Sequence, residues 1–229
     1  MSEEIVVHGS RISPFVEKVV RGAALKGLPF RLAERPPRRV WRTGKVPAVR
    51  IGETWHEDST FILRAFDALQ PDPPLLSSDP VVAAAQRNLE DWSDESLYWC
   101  VFAIRWSSPN ADATRAQLSS LRGPLPRFLF DLWMRRSVGR QPSAQGMGRL
   151  PYEVLLRETG GRLDDLVTLL GARPFFYAKR PSVADLAIYG QLRTGCSTAT
   201  PDLHDLIHQR PALTAFMKRL EECTEGAGA

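Results

Sequence analysis

Hydrophobic residues in the first seventy positions alternate between short continuous runs and one-sided stripes. The run Ile5-Val6-Val7 predicts a buried strand, and the stripe from Phe15 to Ala24 predicts an amphipathic helix that begins at Pro14 and ends near Gly27. Runs at residues 29–32, 46–51 and 54–56 predict three more strands, the last two paired as a hairpin. A second helix follows, with its apolar face at residues 61–69.

This order, strand-helix-strand and then strand-strand-helix, is typical of a small thioredoxin-like α/β domain. Two prolines make residues 34–43 an irregular connection, and prolines at 71, 73 and 74 end the second helix. Beyond them only helical patterns occur, near 79–106, 112–122, 125–138, 151–170, 183–193 and 202–222. We therefore predict a thioredoxin-like domain over residues 1–70, a linker over 71–78 and an all-helical domain over 79–229.

Composition and charge narrow the class of protein. The chain has 229 residues, 43% hydrophobic and 24% charged, as in ordinary globular proteins, and a formal net charge of +4. Its densest basic cluster is Arg122, Arg127, Arg135, Arg136, Arg140 and Arg149. A nucleic-acid groove is one interpretation of this cluster, but a solvated, anion-tolerant surface is favoured, so no nucleic-acid partner is expected.

Cysteines and histidines do not form a recognisable site. Cys100, Cys196 and Cys223 are far apart, no CxxC occurs, and His204 with His208 lacks a third ligand, so we expect reduced thiols, surface histidines and no metal. No signal-peptide pattern and no apolar run of membrane-spanning length is present. The expectation is a cytoplasmic protein without a membrane span.

Ser13 and Pro14 stand where the first strand ends and the first helix begins. A helix N-terminus presents unpaired N–H groups and partial positive charge, which favour an anion. In thioredoxin-like redox proteins this position holds the attacking cysteine, and a serine here excludes dithiol exchange by the motif. The Ser13 hydroxyl either stabilises a thiolate from another molecule or only caps the helix. Ser10 is a second, lower-ranked hydroxyl.

Two further motifs have a functional and a structural interpretation. Pro47 after Val46 starts a strand, either as a cis-proline that exposes backbone for peptide pairing or as an edge-strand proline. Asp58 and Ser59 precede the second helix, either as capping residues or as groups that hold an amino acid zwitterion. A third motif, Ser182 with Asp185, is interpreted as a structural capping box.

Taken together and in this order, the motifs resemble the glutathione S-transferase superfamily over nearly the whole chain. SPFVEKV resembles the Ser-Pro-Phe motif of serine-type, especially tau-class, transferases, KVP their cis-proline motif, and EDS their acidic-Ser element. SVADLAIYGQL resembles the capping box and buried helix of their helical domain. AQGMGRLPYEVLL resembles the metaxin and failed-axon-connections branch, which is less securely catalytic.

The resemblance implies a role for each matching residue. Ser13 would hydrogen-bond the glutathione sulfur and lower its pKa, and Val46, before the cis Pro47, would pair with the cysteinyl backbone. Lys45 would face the glycine carboxylate, and Asp58 with Ser59 would hold the γ-glutamyl end. The short segment at 34–43, where the family often has a helix, departs from the pattern and affects the glycine end.

The leading hypothesis is a detoxifying glutathione transferase that conjugates glutathione, as co-substrate, to a small apolar electrophile. Tyr98, Trp99, Phe102 and Trp106 are either walls for that electrophile or core residues, and the core role is favoured. A homodimer is expected from the resemblance. The alternatives are a non-catalytic, metaxin-like binding or adaptor module and a disulfide or dehydroascorbate reductase, which the serine disfavours.

Overall fold

The chain begins with a mixed four-stranded sheet. The computed structural model describes residues 4–34, 36–37 and 40–225. The sheet has the order β2-β1-β3-β4, in which β1 and β2 are parallel and the other neighbours are antiparallel. The strands are β1 (Ile5–His8), β2 (Phe30–Ala33), β3 (Ala48–Ile51) and β4 (Thr54–Glu57). The third strand starts two residues later than predicted, because Pro47 lacks an N–H for the ladder.

Two helices complete this part of the chain: α1 (Pro14–Leu25) and α2 (Ser59–Leu69). Pro14 occupies the first turn of α1, where its missing N–H costs no hydrogen bond. The helix ends at Lys26, and Gly27 then takes a φ of 62°, a left-handed conformation that glycine adopts easily. The predicted first helix is therefore confirmed at both ends.

The rest of the described chain is mostly helical. Its helices are α3 (Pro80–Trp92), α4 (Tyr98–Trp106), α5 (Ala111–Leu118), α6 (Arg127–Trp133), α7 (Gln141–Gln145), α8 (Tyr152–Leu170), α9 (Val183–Gly195), α10 (Pro201–His208) and α11 (Pro211–Cys223). This architecture confirms the predicted fold class, a thioredoxin-like α/β domain followed by a helical one. Among the described residues no helix has both the length and the apolar character needed to cross a bilayer.

Two predicted helices are interrupted. The segment expected over residues 79–106 contains a π-helical turn at Ser93–Leu97, which separates α3 from α4. The segment expected over 202–222 is two helices, since Pro211 begins a new one directly after Arg210. A proline cannot donate the backbone hydrogen bond that a continuous helix requires.

Helix α9 fixes the helical part onto α1. It is buried along most of its length, and a Cβ on Gly190 would collide with the carbonyl oxygen of Pro14. Only glycine allows the two backbones to approach this closely. Ser182 and Asp185 form the predicted capping box at the start of α9. The position of α9 therefore constrains the N-terminus of α1, where Ser13 lies.

Candidate functional site

Ser13 is the N-cap residue of α1, but its hydroxyl does not cap the helix. The side chain makes no capping hydrogen bond, and the residue is only partly buried. Its backbone N–H donates to the Ser10 carbonyl oxygen at 2.9 Å, and the Ser10 hydroxyl accepts from the Ile12 N–H at 3.4 Å. Among the described residues, the Ser13 hydroxyl therefore has no intramolecular partner, while the rival hydroxyl of Ser10 already has one.

The segment around Pro47 lies against the start of α1. The Val46–Pro47 peptide bond is cis, as the resemblance implied. A Cβ on Gly9 would lie 2.7 Å from Val16 Cγ2 and 3.1 Å from Val46 Cβ. No hydrogen bond within the described chain uses the Val46 backbone N–H or carbonyl. Both groups are therefore available to an extended ligand.

Backbone hydrogen bonds hold the residues before this segment. The Glu57 carboxylate accepts from the N–H groups of Arg42 and Thr43 at 2.7 and 2.8 Å. These donors lower the pKa of Glu57 although desolvation acts to raise it. The Lys45 backbone N–H donates to the Thr43 hydroxyl at 3.2 Å. Lys45 itself is exposed, and its ammonium has no carboxylate partner among the described residues. The predicted irregular connection at 34–43 is only partly covered, since residues 35, 38 and 39 lie outside the described chain.

Asp58 and Ser59 stand at the N-terminus of α2. Asp58 has a φ of 73°, unusual for a non-glycine residue, and one carboxylate oxygen, Oδ1, accepts from the N–H groups of Thr60 and Phe61. Its Oδ2 has no partner within the described chain, and the Ser59 hydroxyl has none there either. Asp58 is thus a capping residue, as the structural interpretation held, with one carboxylate oxygen still free.

A cavity of about 490 Å³ joins these elements. Its walls come from the start of α1, the segment before β3, the start of α2 and the middle of the long α3–α4 region: Phe15, Thr43, Lys45, Val46, Pro47, Asp58, Ser59, Thr60, Arg64, Arg87, Asn88, Glu90, Asp91, Asp94 and Glu95. Five of the six predicted site residues lie in this wall. Ser13 does not, although Phe15, two residues further along α1, does.

A buried lysine network includes three residues of the cavity wall, Thr60, Glu90 and Asp94. The Lys18 ammonium lies 2.7 Å from Glu90 Oε1 and 2.6 Å from Asp94 Oδ2, with only 1% of its side chain exposed. The Thr60 hydroxyl donates to Glu90 Oε1 at 2.9 Å and lies 3.4 Å from the Lys18 ammonium. The network therefore connects α1, the α3–α4 region and the first turn of α2, where Thr60 follows Ser59.

The π-helical turn places Asp94 in this network. Burial raises the pKa of Asp94 to about 6, even though the Lys18 ammonium acts to lower it. Its second oxygen, Oδ1, is buried and has no hydrogen-bond partner among the described atoms. Such turns recur at functional sites because they redirect one side chain. Sequence analysis missed both Lys18 and Asp94, since the apolar stripe of α1 placed Lys18 on the solvent side.

Aromatic rings continue from the cavity along α4. Phe15 lies against Tyr98 with ring centroids 5.0 Å apart, and Tyr98 stacks on Phe102 at 5.2 Å. Burial raises the pKa of Tyr98 to about 12, so its phenol stays neutral at physiological pH. Phe15, Tyr98, Trp99 and Phe102 are each only partly buried, whereas Trp106 belongs to a small separate core. The first four can therefore serve as a wall, and Trp106 is a packing residue.

The cysteines offer no reactive thiolate. Burial raises the pKa of Cys100, raises that of Cys196 to about 11, and raises that of Cys223 as well. His204 and His208 stack with ring centroids 3.9 Å apart on α10. Within the described chain no group of three or more His, Cys, Asp or Glu side chains is arranged to hold a metal ion. The cysteines of the described chain therefore supply no thiolate to this cavity.

Comparison with known proteins identifies the same architecture. Residues 7–74 match the family model of the glutathione S-transferase N-terminal domain. A search of curated protein sequences finds no match. The mixed sheet, the cis-proline and the following helical part thus form a glutathione transferase-like fold.

Solved structures share this fold over almost the full length. The chain is similar to the β-etherase LigF of a Sphingobium species, with a TM-score of 0.70, 19% identity, and coverage of 95% of this chain and 94% of that one. It is similar to a glutathione transferase of Populus trichocarpa, with a TM-score of 0.67, 17% identity, and coverage of 95% and 93%. It is also similar to a glutathione S-transferase of Methylobacterium radiotolerans in complex with glutathione sulfonate, with a TM-score of 0.64, 25% identity, and coverage of 95% and 90%. Residues 7–74 thus match a glutathione S-transferase domain, and the chain as a whole shares its fold with these structures.

Proposed function

We propose that this protein is a glutathione transferase that conjugates glutathione to small apolar electrophiles, with Ser13 stabilising the thiolate. The observation that carries the proposal is the unused Ser13 hydroxyl at the N-terminus of α1. Helix capping is the simplest explanation for a serine at this position, but the Ser13 hydroxyl makes no capping hydrogen bond. The family's glutathione chemistry supports the same assignment.

Two interactions would lower the pKa of the bound thiol. The hydroxyl hydrogen bond and the partial positive charge of the helix N-terminus each contribute about 1 kcal/mol. Since one pKa unit corresponds to about 1.4 kcal/mol, together they would lower the pKa of the glutathione thiol from about 8.5 to about 7. A large fraction of the bound thiol would then be ionised at neutral pH, and the thiolate is the nucleophile.

Ser13→Ala tests this assignment. Loss of the hydroxyl is expected to raise the pKa of the bound thiol by about one unit and to reduce kcat/KM with an aryl halide by roughly tenfold or more. The thiolate is followed by its ultraviolet absorbance against pH, and folding by thermal unfolding. Ser10→Ala is the matched control and should retain activity, because its hydroxyl accepts from Ile12 instead. Unchanged turnover in Ser13→Ala would remove Ser13 from the mechanism.

The remaining contacts of glutathione follow from the cavity wall. In the proposal the Val46 backbone pairs with the cysteinyl unit beside the cis Pro47, and the exposed Lys45 ammonium faces the glycine carboxylate. The γ-glutamyl end lies at the start of α2, where the Ser59 hydroxyl and backbone N–H groups receive its carboxylate. Its ammonium then meets the free Oδ2 of Asp58.

Asp58→Asn isolates that last contact. Asparagine tolerates the positive φ and still caps α2, so the change removes the charge with little loss of local structure. We expect glutathione to bind roughly five- to tenfold more weakly by calorimetry, because a partly exposed ion pair contributes about 1 kcal/mol. Asp79→Asn is a matched control, since Asp79 caps α3 in the same way and does not line the cavity. Equal affinities in both variants would refute the γ-glutamyl assignment.

The electrophile would lie against the aromatic wall of Phe15, Tyr98 and Phe102, which offers apolar contact next to the proposed sulfur position.

The proposal includes a detoxifying role, a cytoplasmic location and a homodimer, all supported by the resemblance to the family. A non-catalytic binding module is the competing outcome. Glutathione titration with a panel of electrophiles separates the two, since a protein that neither binds nor turns over glutathione is not a transferase.

A further inference from the structure

The segment that connects α4 to α8 carries a second surface. It runs from the end of α4 at Trp106 to the start of α8 at Tyr152 and contains α5, α6 and α7. Phe130 and Met134 form a small core with Trp106, apart from the main core of the protein. Helix α6 is therefore attached to the protein along one side only.

Helix α6 is apolar on its outward side as well. Phe130 and Met134 face inward and are 2% and 5% exposed, whereas Phe128 is 70% and Trp133 49% exposed. Leu129 and Leu132 accompany them on the outer side, at 41% and 43%. Contiguous exposed apolar patches mark interaction sites. We call these four exposed residues, Phe128, Leu129, Leu132 and Trp133, the α6 ridge.

Basic residues are concentrated in the segment that carries the α6 ridge, although Arg127 lies 3.8 Å from Asp131 and Arg135 lies 3.7 Å from Asp112. Residues 123–150 contain five arginines and a single acidic residue, Asp131. The whole chain has 30 basic and 26 acidic residues, so this segment alone accounts for the net charge of +4. The five arginines, Arg127, Arg135, Arg136, Arg140 and Arg149, are all exposed. The partner of the α6 ridge must therefore be both apolar and anionic.

We propose that the α6 ridge docks this protein onto an anionic lipid surface. The four apolar side chains would enter the boundary between headgroups and acyl chains, and the arginines would contact anionic headgroups, the arrangement of interfacial helices. Tryptophan favours this boundary as well. A second copy of the chain fits less well, because a two-fold contact through the ridge would bring two copies of the same basic segment together. This inference is independent of the proposed glutathione chemistry.

Co-sedimentation with vesicles tests the proposal on the full chain. Binding is expected to vesicles of phosphatidylcholine mixed with phosphatidylserine, to weaken with salt, and to be absent with phosphatidylcholine alone. The double variant Phe128→Glu with Trp133→Glu should bind at least tenfold more weakly, and so should Arg135→Ser with Arg136→Ser. Leu169→Glu and Arg157→Ser, exposed positions on α8, are the matched controls and should bind as the wild type does.

Thermal unfolding checks that each variant is folded, and conjugation activity should not change. The proposal is overturned if the wild type does not bind anionic vesicles at low salt, or if the α8 controls lose binding as much as the ridge variants do. It is also overturned if chromatography without lipid shows a wild-type oligomer that the ridge variants dissociate. In that case a second copy covers the ridge.

Discussion

Replacing Lys18 with methionine is expected to lower the free energy of unfolding by about 3–5 kcal/mol. The ammonium neutralises the carboxylates of Glu90 and Asp94; Lys18 and Glu90 are buried, and the Asp94 side chain is only 13% exposed. Methionine fills a similar volume but leaves two negative charges out of water without a counter-charge. Removing one member of a buried ionic group costs far more than the intact group contributes. Glu90 and Asp94, which line the cavity, would lose their shared cation at the same time.

The effect of Lys18→Met should depend on pH. In the wild type, burial already raises the pKa of Asp94 from 3.8 to about 6. Because the pKa of Asp94 is higher in the folded than in the unfolded protein, its contribution to the free energy of unfolding is complete below pH 3.8. That contribution is lost as the pH rises through about 6. Without the lysine the pKa rises further, because its lowering influence is gone. The difference in unfolding free energy between the wild type and Lys18→Met should therefore be larger at about pH 8 than at about pH 5.

Urea unfolding at both pH values measures these deficits. Lys218→Met is the matched control, since Lys218 is 78% exposed and only 3.9 Å from Glu222, and should cost less than about 1 kcal/mol. Adding Glu90→Gln and Asp94→Asn to Lys18→Met should restore part of the stability by removing the unpaired charges. A Lys18→Met protein as stable as the control would show that the network is not a determinant of stability.

The sequence contained enough information for the architecture. Runs of apolar residues located the strands of the sheet, and proline or capping residues located the starts of α1, α3 and α9 because they act on the adjacent backbone. The same local chemistry led to Val46, Pro47, Asp58 and Ser59, which the structure brings to one cavity. Their roles towards glutathione, and the position of Ser13 relative to its sulfur, remain predictions.

The buried charges could not be predicted in the same way. Glu17 and Lys18 lie off the apolar stripe of α1, a position that predicts exposure, yet both are almost fully buried. The reason is tertiary: α9 and the α3–α4 region cover the second face of α1, where Glu17 meets Arg11 at 2.7 Å and Arg193 at 3.4 Å. Partners distant in sequence create these sites, so a periodicity within one helix cannot indicate them.

Asp185→Ala is expected to destabilise the protein by a similar amount, about 3–5 kcal/mol. Asp185 is fully buried, and its carboxylate accepts from the Phe176 N–H at 2.8 Å, the Ser182 N–H at 2.8 Å and the Ser182 hydroxyl at 2.7 Å. Alanine would leave these donors buried without an acceptor, and each orphaned donor costs about 1–3 kcal/mol. Asp79→Ala is the control: Asp79 caps α3 from an exposed position, so its loss should cost only about 1 kcal/mol.

The loss of unfolding free energy in Asp185→Ala should depend on pH in the opposite direction to the loss in Lys18→Met. Burial raises the pKa of Asp185 from 3.8 to about 7, although its hydrogen bonds act to lower it. Its contribution to stability is therefore complete below pH 3.8 and is lost as the pH rises through about 7. Removing the carboxyl group should cost more at about pH 5 than at about pH 8, as measured by urea unfolding. Parallel trends in the two variants would contradict this assignment, because one variant removes a carboxyl group of raised pKa and the other removes the cation beside such a group.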